Sequence, residues 1–298
     1  MSTSEAVRLF GWQGIEIAVP TPWELSGYHG DHETGYACLD DGIQVRLQVR
    51  WDRARRGLGN LDTALRRYKR SLEKAGRGRL SFEVQNPELL PKRFRDAKDL
   101  TSFHWAADRE GYGAAWHCQA CRRVLLVEVL FARGEGDPRL ARRVLASVRD
   151  HREDGRRLWS VYGFAFRAPD AYNLERPSFA PGRLQFLLRA SRRVWLRVER
   201  WAVASQWAEQ ASLAQWPEEL LRGFRLAPRG SLEQSEAQIH GHSGRRFTVA
   251  VGRRGLLGKQ RVEGMVWRCP EEDKLFAVLA GGGPENLSAQ VAATIACA

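Results

Sequence analysis

Residues 12–25 read WQGIEIAVPTPWEL, and residues 161–174 read VYGFAFRAPDAYNL. At a constant offset of 149, Gly14 meets Gly163, Ile15 meets Phe164, Ile17 meets Phe166, Pro20 meets Pro169, Trp23 meets Tyr172 and Leu25 meets Leu174. Self-similarity at one spacing implies two copies of a unit, and it sets the domain count before any other reading. It also makes each copy a control on the other. A residue that the fold needs should recur, whereas a residue that serves a site in one copy need not.

Working outward, the apolar residues of GIEIAV alternate at Ile15, Ile17 and Val19, the period of a half-buried strand. Pro20 and Pro22 end it, because proline cannot donate to a ladder. Tyr36–Leu39 and the run IQVRLQVRW flank the turn Asp40-Asp41-Gly42 as a hairpin, with Ile43, Val45, Leu47, Val49 and Trp51 on one face. Residues 60–75 change period. Leu61, Leu65, Tyr68 and Leu72 recur at helical spacing, Asn60 or Asp62 is placed to cap, and Gly76 to stop. Strands follow near Leu80–Val84, Thr101–Ala106, Gly113–Cys118 and Val124–Phe131. Asp137 and Pro138 then open a closing helix.

Residues 149–157, RDHREDGRR, are charged and apolar-free and read as a linker between domains at 8–149 and 157–298. The second copy keeps the order. Val194, Leu196 and Val198 answer Val45, Leu47 and Val49 in its hairpin, and Trp207–Phe224 supplies a helix restarted at Pro217. At an offset of 151, Trp267 and Cys269 answer Trp116 and Cys118. PENLSAQVAATIA answers the closing helix. Strands in hairpins with few helices predict an α+β fold, two similar domains that are each a mostly antiparallel sheet flanked by helices.

The pattern of Gly14, Ile15, Ile17, Pro20, Trp23 and Leu25, matched by Gly163, Phe164, Phe166, Pro169, Tyr172 and Leu174, resembles the Mog/PsbP-like family in both halves. The resemblance implies an antiparallel sheet with flanking helices and a non-enzymatic role, since its members include a photosystem assembly subunit, a nuclear transport factor and chaperones for secreted effectors. It transfers no functional residue. Two copies in one chain depart from the single domain usual in that family and suggest a covalent dimer, so that the chain itself is a monomer or a weak dimer.

Composition bounds the partners. The chain of 298 residues has a formal charge of +12, and 41 of its 47 basic residues are arginine. Such a balance points to anionic partners, nucleic acid or a charged surface. The charge is interspersed, however, with 25 basic and 20 acidic residues in 1–150 against 22 and 15 in 151–298. The basic residues Arg66, Arg67, Lys69, Arg70 and Lys74 read as solvated helix surface or as a phosphate-facing stripe. Five cysteines, an odd number, argue against a disulfide scaffold and for a reducing compartment. With no signal-like start and no apolar run of membrane length, the expectation is a cytoplasmic protein without a membrane span.

No constellation suggests catalysis. There is no G-x-S-x-G and no serine or cysteine tied to a base and a carboxylate. Cys118-Gln-Ala-Cys121 is half a zinc site or a redox motif, but Cys121 becomes Glu272 in the second copy, so both cysteines read as packing and turn residues. His240 and His242 read as exposed loop histidines with no acidic partner nearby. Gly281-Gly282-Gly283-Pro284 reads as a strand–helix turn. No cofactor or metal is expected.

What fails to recur is aromatic. Trp195 and Trp201 lie on the opposite hairpin face from Val194, Leu196 and Val198, where the first copy has Arg46 and Asp52. With Arg197, Trp207 and Trp216 they are the candidate binding residues, either as core packed under a helix or against the first copy, or as a groove for a peptide, a helix or a lipid-like ligand. The functional expectation is a non-catalytic binding, adaptor or chaperone-like protein that takes a protein or peptide in an inter-repeat groove or on this aromatic face. The alternatives are a nucleic-acid or anionic-surface binder, and an enzyme of unrecognised type.

Overall fold

Ile15, Ile17 and Val19 are fully buried, and in the computed structural model their alternation is the strand β2 (Ile15–Pro20). The structure describes residues 6–53, 61–75, 80–85, 100–152, 154–206, 212–252 and 259–297. Two compact units divide the chain, Met1–Gly163 and Phe164–Ala298.

In the first unit β1 (Val7–Trp12) pairs with β2 and, through Gly11 and Ser160, with β10 (Arg156–Val161). The other strands are β3 (Glu24–Gly30), β4 (Gly35–Asp40), β5 (Val45–Arg53), β6 (Ser81–Gln85), β7 (Leu100–Ala106), β8 (Arg109–His117) and β9 (Arg123–Ala132), with α1 (Leu61–Ala75) and α2 (Pro138–Ser147) between and after them. They form one antiparallel sheet in the order β3-β4-β5-β9-β8-β7-β6. The second unit runs β11 (Phe164–Pro169), β12 (Asn173–Ala180), β13 (Arg183–Arg189), β14 (Trp195–Ala202), α3 (Trp216–Gly223), β15 (Ala227–Pro228), β16 (Glu233–Ile239), β17 (His242–Gly252), β18 (Lys259–Cys269), β19 (Lys274–Gly281) and α4 (Leu287–Ala292). Its sheet order is β12-β13-β14-β19-β18-β17-β15, and β16 also pairs with β17.

The two long sheets therefore share one strand order. One irregularity coincides too. A bulge interrupts β3–β4 between Leu25 and Gly27, and another interrupts β12–β13 between Leu174 and Arg176. Phe103 faces Gly113 across β7–β8, and Phe247 faces Gly264 across β17–β18. In each pair the ring lies over the glycine, filling the space a side chain would take.

The α+β expectation is corrected by the extent of strand. Among the described residues strands hold 55% and helices 17%, so the protein is mostly β. The reason lies in the lengths: α3 has 8 residues and α4 has 6, whereas β17 and β18 have 11 each. The helical spacing read over Trp207–Phe224 yields a described helix only from Trp216, with Pro217 in its first turn. Asn60 and Gly76, read as cap and stop of α1, lie outside the described residues.

Two local readings also change. Ile43 does not continue the apolar face of β5. It sits at the turn, 89% exposed, where the Asp41 carboxylate accepts from the Ile43 and Gln44 amides. The segment 149–157 is not a free tether. Arg149 and Glu16 exchange two backbone hydrogen bonds of 2.8 Å, Asp150 is buried, and β10 begins at Arg156. Charged side chains do not prevent a backbone from pairing when they can point outward.

Candidate functional site

The aromatic face of the second unit is core. Trp195, Arg197, Trp201 and Trp216 are between 3% and 7% exposed. Trp216 opens α3 and brings Leu220 and Leu221 down onto Trp195, Trp201, Phe247 and Val266. The Trp201 and Trp216 rings stand 5.5 Å apart, and Phe224 lies 4.8 Å from Trp195. Arg197 is held inside by the Glu199 carboxylate and by Gln185 at 3.2 Å, with its guanidinium 4.6 Å from the Phe224 ring. Arg183 completes the neutralisation of Glu199 at 2.8 Å. Among the described residues these four are core, closed over by Leu220 and Leu221 of α3 and by Phe224 after it. Trp207 lies outside the described residues.

The first unit puts a different group in the equivalent layer. Leu61, Leu65 and Tyr68 of α1 pack on Phe103, Trp105, Leu126 and Leu130. Glu128 is buried among them and accepts from the Tyr68 hydroxyl and, at 3.0 Å, from the Trp105 indole. Burial raises its pKa above the ordinary carboxylate range. Burial, and then the Glu128 contact, push the Tyr68 hydroxyl up as well.

The C-x-x-C sits on the turn between β8 and β9. The turn closes through the Cys118 amide on the Arg123 carbonyl at 2.9 Å, with Arg122 in the left-handed region at φ 55°. Cys118 is a buried residue and Cys121 a turn residue. Nothing in the local spacing announces what joins them. The chain leaving α2 carries Asp150 and His151 to the turn. Cys118 Sγ is 3.4 Å from His151 Nδ1, Cys121 Sγ is 4.0 Å from Asp150 Oδ2, and His151 Nδ1 is 2.9 Å from Asp150 Oδ1. The Trp116 indole donates to Asp150 Oδ2 at 3.0 Å, and Arg123 donates to the Asp150 carbonyl at 2.6 Å. The hydrogen bond from Cys118, aided by the Arg123 charge and opposed by burial, lowers the Cys121 thiol to about 6. The same contact, with burial, pushes Cys118 up.

His240 and His242 separate. His240 is exposed and hydrogen-bonds to the Ala292 carbonyl at 2.9 Å. His242 is largely covered, and Glu271 lies 3.6 Å from its Nδ1, an acidic partner that sequence spacing did not reveal. Cys269 and Cys297 stand beside it. Gly281–Gly283 do form the turn before α4, whose Asn286 and Ser288 amides are received by the Glu263 carboxylate at 3.0 and 2.9 Å.

Charge is distributed unequally over the helices. α1 presents Arg66, Arg67, Lys69, Arg70 and Lys74 on exposed positions, against Asp62 and Glu73. α2 presents Arg139, Arg142 and Arg143 with no acidic residue. These three, with Pro138 and Ala146, line a surface depression of about 450 Å³. In the second unit α3 carries Glu218, Glu219 and Arg222, and α4 carries no charge. No helix among the described residues is long and apolar enough to cross a membrane.

No protein-family model matches the chain, and no curated protein matches it.

Proposed function

We propose that this is a non-catalytic binding protein whose partner is a phosphate-bearing polymer, held by the arginines of the first unit. One observation carries the reading: Arg139, Arg142 and Arg143 line a single depression on α2, and the helix in the same place of the second unit, α4, has no charge at all. Packing of the closing helix therefore does not require them. Arginine suits phosphate because its planar fork meets two oxygens at once. The basic positions of α1 and the net charge of +12 favour the same class of partner.

The non-catalytic part is supported by where the buried charges go. Glu128 is met by Tyr68 and Trp105, Glu199 by Arg183 and Arg197, and Glu263 by the start of α4. Each serves a packing contact rather than an open cleft. The shared strand order and the one coincident bulge support reading the two units as copies of one ancestral domain, in which the first copy acquired the basic helices.

The test is binding of a labelled single-stranded oligonucleotide by anisotropy across a salt series. The wild type should bind at low salt and lose affinity steeply, and the triple variant R139Q/R142Q/R143Q should bind at least about tenfold more weakly. Its salt slope should fall by about 2, at about 0.7 per lost phosphate contact. Unchanged affinity in the triple variant, or binding that ignores salt, would refute the reading.

A further inference from the structure

The turn carrying Cys118 and Cys121 meets Asp150 and His151 so closely that one ligand atom from each lies within 4.8 Å of all the others. A tetrahedral zinc ion with Zn–S near ~2.3 Å and Zn–N or Zn–O near ~2.0 Å sets its ligands about 3.3–3.8 Å apart. The Cys118–His151 distance of 3.4 Å already fits, and the Cys121–Asp150 distance of 4.0 Å needs a small inward shift. Two cysteines separated by two residues on a tight turn are the common half-site for this ion, and a distant part of the chain supplies the other half. We propose that Cys118, Cys121, Asp150 and His151 form a structural site for a thiophilic divalent cation of the zinc class.

The surroundings are those a metal site needs. The Cys121 amide points at Cys118 Sγ at 3.5 Å, a contact that steadies a thiolate. The Trp116 indole fixes one carboxylate oxygen of Asp150, leaving the other toward His151. Arg123, buried, holds the Asp150 carbonyl and the Gln13 carbonyl and brings a positive charge to balance two thiolates and a carboxylate. Bound there, the ion would pin the β8–β9 turn to the chain leaving α2, which is a folding role.

The second unit supplies an independent observation. Cys269 follows Trp267 by two residues, as Cys118 follows Trp116. Cys297 follows Thr294 by three, as Asp150 follows Ser147. Cys269 and Cys297 again come together, here with His242 beside them: the three lie within 4.8 Å of one another, and Glu271 is 3.5 Å from Cys269 Sγ. The residues differ between the copies, but the place keeps a set of metal-ligating atoms. Packing alone does not require that Asp150 be exchanged for a cysteine rather than for an apolar residue.

The inference stands apart from the polymer-binding reading and is tested on the full chain without any nucleic acid. Reduced protein is loaded with Zn²⁺, desalted and assayed for metal by elemental analysis, and in parallel loaded with Co²⁺ for absorption spectroscopy. The wild type should retain zinc and show the intense visible bands of tetrahedral cobalt with thiolate charge transfer. C121S/H151A should hold one zinc fewer per chain than the wild type, and zinc should raise its melting temperature less. H151A alone alters a side chain that is 40% exposed and keeps the test open if the double variant does not fold. H242A should leave the first-unit cobalt spectrum in place. A wild type that retains no zinc would overturn the proposal, and so would variants of Cys121 and His151 that hold as much as the wild type.

Discussion

Ser147 Oγ accepts a hydrogen bond from the Ala18 amide at 2.9 Å, tying the end of α2 to β2 across 129 positions of sequence. Its own proton lies toward the Val144 carbonyl at 2.6 Å. Thr294 makes the same tie in the second unit, accepting from the Arg167 amide at 2.8 Å and reaching the Val291 carbonyl at 2.7 Å. Removing either hydroxyl leaves a strand amide without its partner, at a cost of about 1–3 kcal/mol. S147A and T294V should each lower the melting temperature by about 2–8 °C, and T294S should recover most of the loss. If T294S melts no higher than T294V, the hydroxyl is not what holds the strand.

How much of this was legible follows from range. Period-two runs such as Ile15-Ile17-Val19 and Leu47-Val49-Trp51 are local and gave strands, and Leu61-Leu65-Tyr68 gave a helix. The recurring Trp116 and Trp267 face Leu125 and Phe276 at equivalent places in two sheets of one strand order, and Gly14 and Gly163 each stand at positive φ in the turn just before β2 and β11. The balance of strand to helix is not legible locally, because Trp207–Phe224 and Pro284–Ala296 carry helical spacing over more residues than the described helices hold. The Trp195 pattern fits core and groove alike, and burial decides for core. Asp150 and His151 looked like linker since nothing near them in sequence needs them. Their partners are Cys118 and Cys121, about 30 residues earlier, and only the sheet brings the two segments together.

Gly113 and Gly264 carry a second prediction. A Cβ on either would stand 2.2 Å from the Cζ of its cross-strand partner, Phe103 or Phe247. Glycine to alanine in a strand ordinarily helps, by limiting the unfolded chain, but here the added methyl meets a buried ring. G113A and G264A should each destabilise by about 1–3 kcal/mol in chemical denaturation. F103L should relieve G113A, giving a double variant more stable than the additive expectation. Strict additivity would show that ring and glycine do not share the space.

Glu128 faces Gln48 across β5–β9, and at the matching register of the second unit Leu279 faces Arg197. The fold thus accepts an apolar residue where Glu128 is buried. Its raised pKa means that the folded protein holds the proton more tightly than the unfolded chain. Stability from this group is complete below the ordinary carboxylate pKa and is lost as pH rises through the folded value. E128Q keeps an acceptor for Tyr68 and Trp105 without the charge. It should be more stable than the wild type at pH 7, with the gain vanishing near pH 4. A gain that is the same at both pH values would rule out the buried charge as its cause.

His32 provides the opposite slope. Its Nδ1 lies 3.1 Å from the Gln13 carbonyl, and burial, with Arg157 and Arg123 close by, lowers its pKa to about 4. The unfolded ring takes up a proton near pH ~6.5, while the folded ring resists until about pH 4. Stability present above that upper value is therefore lost as pH falls through the window between the two. The ring is only partly buried, so screening reduces the effect to about 1–2 kcal/mol. H32Q cannot titrate. Its stability relative to wild type should improve by that amount between pH 7 and pH 4.5, read from denaturant midpoints at fixed ionic strength. If the difference between H32Q and wild type stays constant over this range, His32 is not held neutral by the fold.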